Sequence, residues 1–210
     1  YAVGRLDMTI KTADNTLYDK IGDAYDASAG FQVTGVLIGS QKAVEYNFEP
    51  YASSMAWTLY DNIQKSQSGS ILTATTTASD VNYTLALETA ASTEIKVAVE
   101  LINKGKSFQG ADGLVPAGCK FYLVATLSPT NGTTDNGTVS GADNTGNKVF
   151  KQDYKTIANF TIVKGTLGAA NTKGLGAAYN TIPDLRSPEL ELGLSVDLTW
   201  QEGMTFELNL

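Results

Sequence analysis

The stretch Leu190-Glu191-Leu192-Gly193-Leu194-Ser195-Val196-Asp197-Leu198-Thr199-Trp200-Gln201 alternates apolar and polar residues. Leu190, Leu192, Leu194, Val196, Leu198 and Trp200 fall on one side of an extended chain. Glu189, Glu191, Ser195, Asp197, Thr199 and Gln201 fall on the other. Successive side chains of a strand point to opposite faces, so this period of two marks a strand with one face in a core and one in water. Glu189 and Glu191 are then consecutive positions on a wet face, not two acids flanking a glycosidase cleft. After Gly203 the alternation resumes with Met204, Phe206, Leu208 and Leu210, still apolar and in phase at the last residue. Burying those four side chains contributes up to about 6–12 kcal/mol, so the strand needs a partner. Two are open. Gln201-Glu202-Gly203 fits a hairpin loop with Gly203 in the left-handed position, setting Met204 against Trp200 and Phe206 against Leu198. Alternatively the strand adds to the sheet of another molecule, with Gly203 as the hinge between the two states.

The same period recurs upstream. Leu6, Met8 and Ile10 share a face, as do Val81, Tyr83, Leu85 and Leu87, and Ile95, Val97, Val99 and Leu101. Lys155–Ile162 reads as a further strand. Val33–Ile38 and Phe121–Leu127 are apolar on both sides, which predicts central strands covered on both faces. Gly39-Ser40 followed by Val44, Tyr46 and Phe48 in phase predicts a hairpin turn. Ser53–Gln64 fits helix and strand equally, with Met55, Leu59 and Ile63 at helical spacing and Trp57 and Leu59 alternating with Thr58 and Tyr60. The polar stretch Thr130–Lys148 has Asn131-Gly132 and Asn136-Gly137 but no apolar phase. It predicts a mobile loop or a pair of turns, dispensable for folding. Many candidate strands and few helices predict an all-β fold, an antiparallel β-sandwich.

Charged residues make up only 18 % of the chain, the net charge is −7 and the sequence pI is near 4.6. An acidic surface suits neither a phosphate backbone nor an anionic membrane, so nucleic acid is not an expected partner. No run of about 18 apolar residues is present, so no transmembrane segment is expected. The chain begins at Tyr1 without a signal peptide, which suggests a processed form or a fragment.

The absence of His removes the commonest general base and metal ligand, and no catalytic site, cofactor or metal is expected. Asp135, Asn136, Asp143 and Asn144 lack the closing Glu of a calcium loop and read as turn residues. Gly165–Gly176 lacks the phosphate-loop pattern and reads as a loop. Cys119, the single cysteine, excludes an intramolecular disulfide and, preceding an apolar run, is expected to be a buried inert thiol. Asn82, Asn131, Asn136 and Asn159 each begin an Asn-X-Thr triplet, frequent by chance in a Thr-rich chain. Trp200, in phase with leucines, reads as core.

Several segments resemble the C-terminal region of fimbrillins, the type V pilins: Phe31–Gln41, Val44–Pro50, Gly118–Val124, Val149–Thr156, Ala178–Arg186 and Leu190–Trp200. They extend from about residue 31 to the end of the chain. The resemblance implies a transthyretin-like sandwich, with residues 1–210 forming the C-terminal domain and the family's N-terminal domain absent. It implies lipoprotein export, removal of a propeptide, and a place at the cell surface in a fimbrium of the outer membrane. It also implies donor-strand exchange with other fimbrial subunits, for which Met204, Phe206, Leu208 and Leu210 would form the donor strand. Such a subunit supports adhesion to host or bacterial surface ligands. The runner-up is a carbohydrate-binding or tip-adhesin module, which needs exposed aromatic side chains around the loop Thr130–Lys148, and that loop has none.

Overall fold

The computed structural model describes residues 3–42, 56–62, 71–72, 78–79, 84–129, 132–134, 137–139, 148–152, 154–187 and 189–202. Its strands are β1 (Val3–Thr12), β2 (Thr16–Tyr18), β3 (Ala24–Asp26), β4 (Phe31–Lys42), β5 (Ala56–Asp61), β6 (Ile71–Leu72), β7 (Ala78–Ser79), β8 (Thr84–Leu87), β9 (Ile95–Asn103), β10 (Phe108–Gln109), β11 (Leu114–Val115), β12 (Lys120–Leu127), β13 (Gly132–Thr134), β14 (Gly137–Val139), β15 (Tyr154–Ile162) and β16 (Leu194–Glu202). The helical elements among the described residues are short 3-10 turns at Ala27–Ala29 and Gly174–Ala177. Among the described residues no helix is long and apolar enough to cross a membrane.

Two sheets carry the fold. One is seven-stranded, ordered β14-β13-β16-β15-β1-β7 with β8 also on β1. The other is five-stranded, ordered β12-β9-β4-β5 with β6 on β4. Their facing sides close one apolar cluster. The seven-stranded sheet gives Leu6, Met8, Ile10, Phe160, Ile162, Leu194 and Leu198, and the five-stranded sheet gives Val33, Val36, Ile38, Val97, Val99, Leu101, Phe121 and Leu123. The all-β sandwich follows from alternation on both sides. Most ladders are antiparallel, but β1 runs parallel to β15 and β13 parallel to β16. The β1–β15 register stacks Met8, Ala158 and Leu198 in one row and Ile10, Phe160 and Val196 in the next. Ala158 leaves room between two long side chains where Phe160 fills its row, which is how a core reaches native density.

The inward positions Leu6, Met8 and Ile10, and Ile95, Val97, Val99 and Leu101, are all buried as the alternation predicts. Elsewhere the partner strand overrides the local pattern. In β8 the phase is inverted: Thr84 and Ala86 face the core and Leu85 is 51 % exposed. Register explains this, because β1 sets Leu6 opposite Thr84 and Gly4 opposite Ala86. The remaining members of that set, Val81 and Tyr83, lie outside the described residues.

Gly39-Ser40 is not a hairpin turn. The strand runs on through it to Lys42, with a bulge against β5 between Ile38 and Gln41 and Ser40 at φ 57°. Such a bulge absorbs one left-handed residue without reversing the chain. Val44, Tyr46 and Phe48 lie outside the described residues. The ambiguous segment at 53–64 is a strand where described, β5. The polar stretch from Thr130 is not simply loop: β13 and β14 form a hairpin that extends the seven-stranded sheet.

Candidate functional site

The C-terminal strand occupies an interior place in the seven-stranded sheet. Along one edge β16 pairs with β15 from Leu194 to Glu202. Along the other, Thr199 and Trp200 pair with Thr133 and Thr134 of β13. One expectation changes. Gln201 and Glu202 are strand residues opposite Lys155 and Tyr154, not the loop of a hairpin. Gly203, Met204, Phe206, Leu208 and Leu210 lie outside the described residues, as does the side chain of Trp200. Arg5 and Gln201 both lie opposite Lys155. β1 therefore enters, and β16 leaves, at the same end of this sheet.

The strand is also shorter than its alternation. Leu190–Gly193 precede β16 and cross over the five-stranded sheet. Gly193 donates to the Val124 carbonyl at 3.0 Å, and a Cβ there would lie 2.5 Å from Leu123 Cδ2. Any larger residue there would have to displace the buried Leu123 side chain. Leu190 joins a second apolar cluster while Leu192 is exposed. Glu191 does not share a strand face with Glu189: its carboxylate pairs with Lys20 at 2.7 Å and its N–H donates to Tyr179 Oη at 2.7 Å.

That second cluster lies on the outer side of the five-stranded sheet, where Leu37, Ala98, Tyr122 and Val124 are covered by Leu185. Tyr179 exchanges backbone hydrogen bonds with Tyr122 at 2.8 and 2.9 Å and so caps the edge of β12. Asp112 accepts from the N–H groups of Asn180 and Thr181, and Lys96 Nζ donates to the Ser187 carbonyl. An otherwise open edge is thus closed by a pinned loop.

Beside the cluster sits a buried charge that the alternation of β9 does not reveal. Glu100 is 3 % exposed. Its Oε1 accepts from Thr34 Oγ1 at 2.6 Å, Lys120 Nζ at 2.8 Å and Tyr60 Oη at 3.1 Å, and its Oε2 accepts from Tyr122 Oη at 2.9 Å. A bulge in β4 between Val33 and Gly35 makes this possible. It keeps Val33 and Val36 both in the core and supplies Thr34 as the extra residue beside Glu100. Burial alone pushes the Glu100 carboxyl up. The hydrogen bonds from Lys120, Thr34 and Tyr122, with the Lys120 charge, outweigh it and hold the group below its ordinary value of 4.5. Burial, then the adjacent carboxylate, push the Tyr122 phenol up.

The sign of the pH effect follows. A carboxyl held low in the fold stabilises it above the unfolded value, and that contribution disappears as pH falls through the lower folded value. The stability difference between the wild type and Glu100→Gln should therefore shrink as pH drops below that ordinary value. Urea unfolding at neutral pH and near pH 3 checks this. An undiminished difference in acid contradicts it.

Among the described residues no group of three His, Cys, Asp or Glu side chains could hold a metal. Asp135, Asn136, Asp143 and Asn144 lie outside them. Cys119 is exposed, not buried: it belongs to the turn before β12, where its N–H donates to the Pro116 carbonyl at 3.3 Å. Trp57 is 55 % exposed. The segment Gly165–Gly176 is organised around buried Asn171, whose Nδ2 donates to the carbonyls of Asp19, Thr166 and Ala169.

No family model and no curated protein matches the chain. Solved structures do. One from Parabacteroides distasonis, described as a "putative cell adhesion protein", aligns over 97 % of this chain and 54 % of its own, at TM-score 0.41 and 10 % identity. One from Bacteroides eggerthii, described in the same words, aligns over 97 % and 58 %, at 0.42 and 11 %. A further P. distasonis protein so described aligns over 94 % and 59 %, at 0.35 and 12 %. The chain spans 54–59 % of the length of these structures.

Proposed function

We propose that this chain is a structural, non-enzymatic subunit of a cell-surface fimbria, a fimbrillin-like C-terminal domain that assembles by donor-strand exchange and supports cell adhesion. The observation that carries this is the occupancy of β16. Residues 203–210 continue an apolar alternation, yet β15 and β13 hold both edges of the strand at Thr199 and Trp200. The apolar face of Met204, Phe206, Leu208 and Leu210 is best satisfied in the groove of a neighbouring subunit, with Gly203 as the hinge. A groove offers backbone hydrogen bonds as well as pockets for alternate side chains. The closed edge of β12 fits the same scheme, since it leaves that edge unavailable for unprogrammed pairing.

Partners are then other fimbrial subunits, and the location is the outer surface of the cell. Electron microscopy of cells labelled with antibody against this domain tests the proposal. Label repeating along filaments identifies a shaft subunit, and label confined to one end identifies a tip or anchor. Surface label without any filament contradicts the proposal.

A further inference from the structure

Among the described residues, the outer side of the five-stranded sheet is covered at one end, by Leu185 with Tyr179 and Leu190. Its register sets Val124, Ala98, Leu37 and Tyr60 in one row, Tyr122, Glu100 and Gly35 in the next, and Lys120, Ile102 and Gln32 in the third. Leu185 covers the aliphatic part of the first row. Tyr60 and Lys120 remain open, at 46 % relative exposure for the residue and 49 % for the side chain respectively.

Tyr60 does not float on that surface. Its ring lies against Gly35, where a Cβ would come within 2.7 Å of Cε2, and its hydroxyl is tied to Glu100 at 3.1 Å. The same carboxylate oxygen holds Lys120 Nζ at 2.8 Å. One buried acid therefore fixes an aromatic ring and an ammonium group side by side. The ammonium spends one of its three N–H donors on Glu100. Gln32 adds an amide in the third row that makes no side-chain hydrogen bond among the described residues. Holding a carboxylate out of water is costly unless it is fully hydrogen-bonded, and here the outcome is a rigid, exposed ring with polar groups beside it.

We propose that Tyr60, Lys120 and Gln32 form a binding site for a neutral hexopyranose, with Glu100 as the positioning residue beneath it. The C–H face of a pyranose stacks on the fixed ring, and its hydroxyls accept from Lys120 and exchange hydrogen bonds with the Gln32 amide. A neutral sugar fits better than an acidic one, because Glu100 already balances Lys120 and the chain carries a net charge of −7. This site lies on the five-stranded sheet, whereas β16 belongs to the seven-stranded one, and it does not depend on filament assembly.

Saturation-transfer NMR on the purified chain tests it, with methyl glycosides of glucose, galactose and mannose as probes. Transfer to the ring protons of at least one glycoside is expected, with a Kd of about 1 mM, as befits a shallow site. Tyr60→Leu keeps the apolar bulk but removes the π face, and should weaken binding about threefold to tenfold. Tyr60→Phe keeps the ring and loses the tether to Glu100, and should bind between the two. A backbone amide spectrum superimposable on the wild type away from β4, β5 and β12 confirms that each variant is folded. No transfer to any of the three glycosides, or transfer undiminished in Tyr60→Leu, overturns the proposal.

Discussion

Phe121→Ala should cost about 3–5 kcal/mol of folding stability, the range for truncating a buried aromatic. Phe121 is fully buried and meets Phe31 and Phe108 edge to face, with ring centroids 5.4 and 5.3 Å apart. Tyr25 closes the same group, stacked on Phe31 at 5.5 Å and edge-on to Phe108 at 5.4 Å. Four rings contributed by β3, β4, β10 and β12 thus tie the five-stranded sheet to two peripheral strands. Alanine would leave a cavity that three fixed rings cannot collapse into. Chemical denaturation checks the energy. For a domain of this size the melting temperature should fall by about 6–20 °C. A change under about 1 kcal/mol would show that the cluster is not a core element.

Asn103→Leu should be nearly as damaging, although it preserves volume. Asn103 is fully buried. Its Oδ1 accepts from Tyr25 Oη at 2.6 Å and from the Gly105 N–H at 3.0 Å, while Nδ2 donates to the carbonyls of Lys106 at 2.9 Å and Pro116 at 3.2 Å. Leucine strands all four groups. Each buried polar group left without a partner costs about 1–3 kcal/mol, and water can rescue those nearest the surface, so a loss of about 3–5 kcal/mol is expected. Equilibrium unfolding of the variant measures it. A loss no larger than that of an exposed Asn→Leu change, such as at Asn159, would show that the amide is dispensable.

Phe121 opens the apolar run Phe121–Leu127 that marks a strand buried on both faces, as the structure has it, whereas Asn103 does not stand out in the sequence as Leu6, Met8 and Ile10 do. Alternation is a local signal, and it is reliable wherever a strand keeps one face to the core along its whole length. It fails where a partner imposes the phase, as β1 does on Thr84 and Ala86, and where a bulge inserts a residue, as at Thr34 and Ser40. The run Leu190–Trp200 alternates without a break, yet Gly193 diverts it. The cause is a close approach to Leu123 and a hydrogen bond to Val124, about 70 residues away in sequence. Cys119 stands next to an apolar strand but belongs to the turn before it.

The Glu100 cluster was illegible for a related reason. A glutamate inside an alternating strand reads as a solvent-face residue. Only the pairing of β9 with β4 and β12 brings Thr34, Tyr60, Lys120 and Tyr122 onto it. The one hint was Gly35, a glycine in mid-strand, which commonly marks a bulge or the close approach of another group. The same holds for β13, whose polar sequence has no apolar phase and which, among the described residues, pairs with β16 at Thr133 and Thr134.

The central claim is that residues 204–210 act between subunits and not within one. Deleting them in cells that make the filament, and melting the purified truncated chain alongside, tests this most directly. Loss of filaments is predicted, with the melting temperature within a few degrees of the full chain, because β16 keeps its ladder to β15 as far as Glu202. Normal filaments from the truncated chain, or a truncated chain that no longer folds, would contradict it.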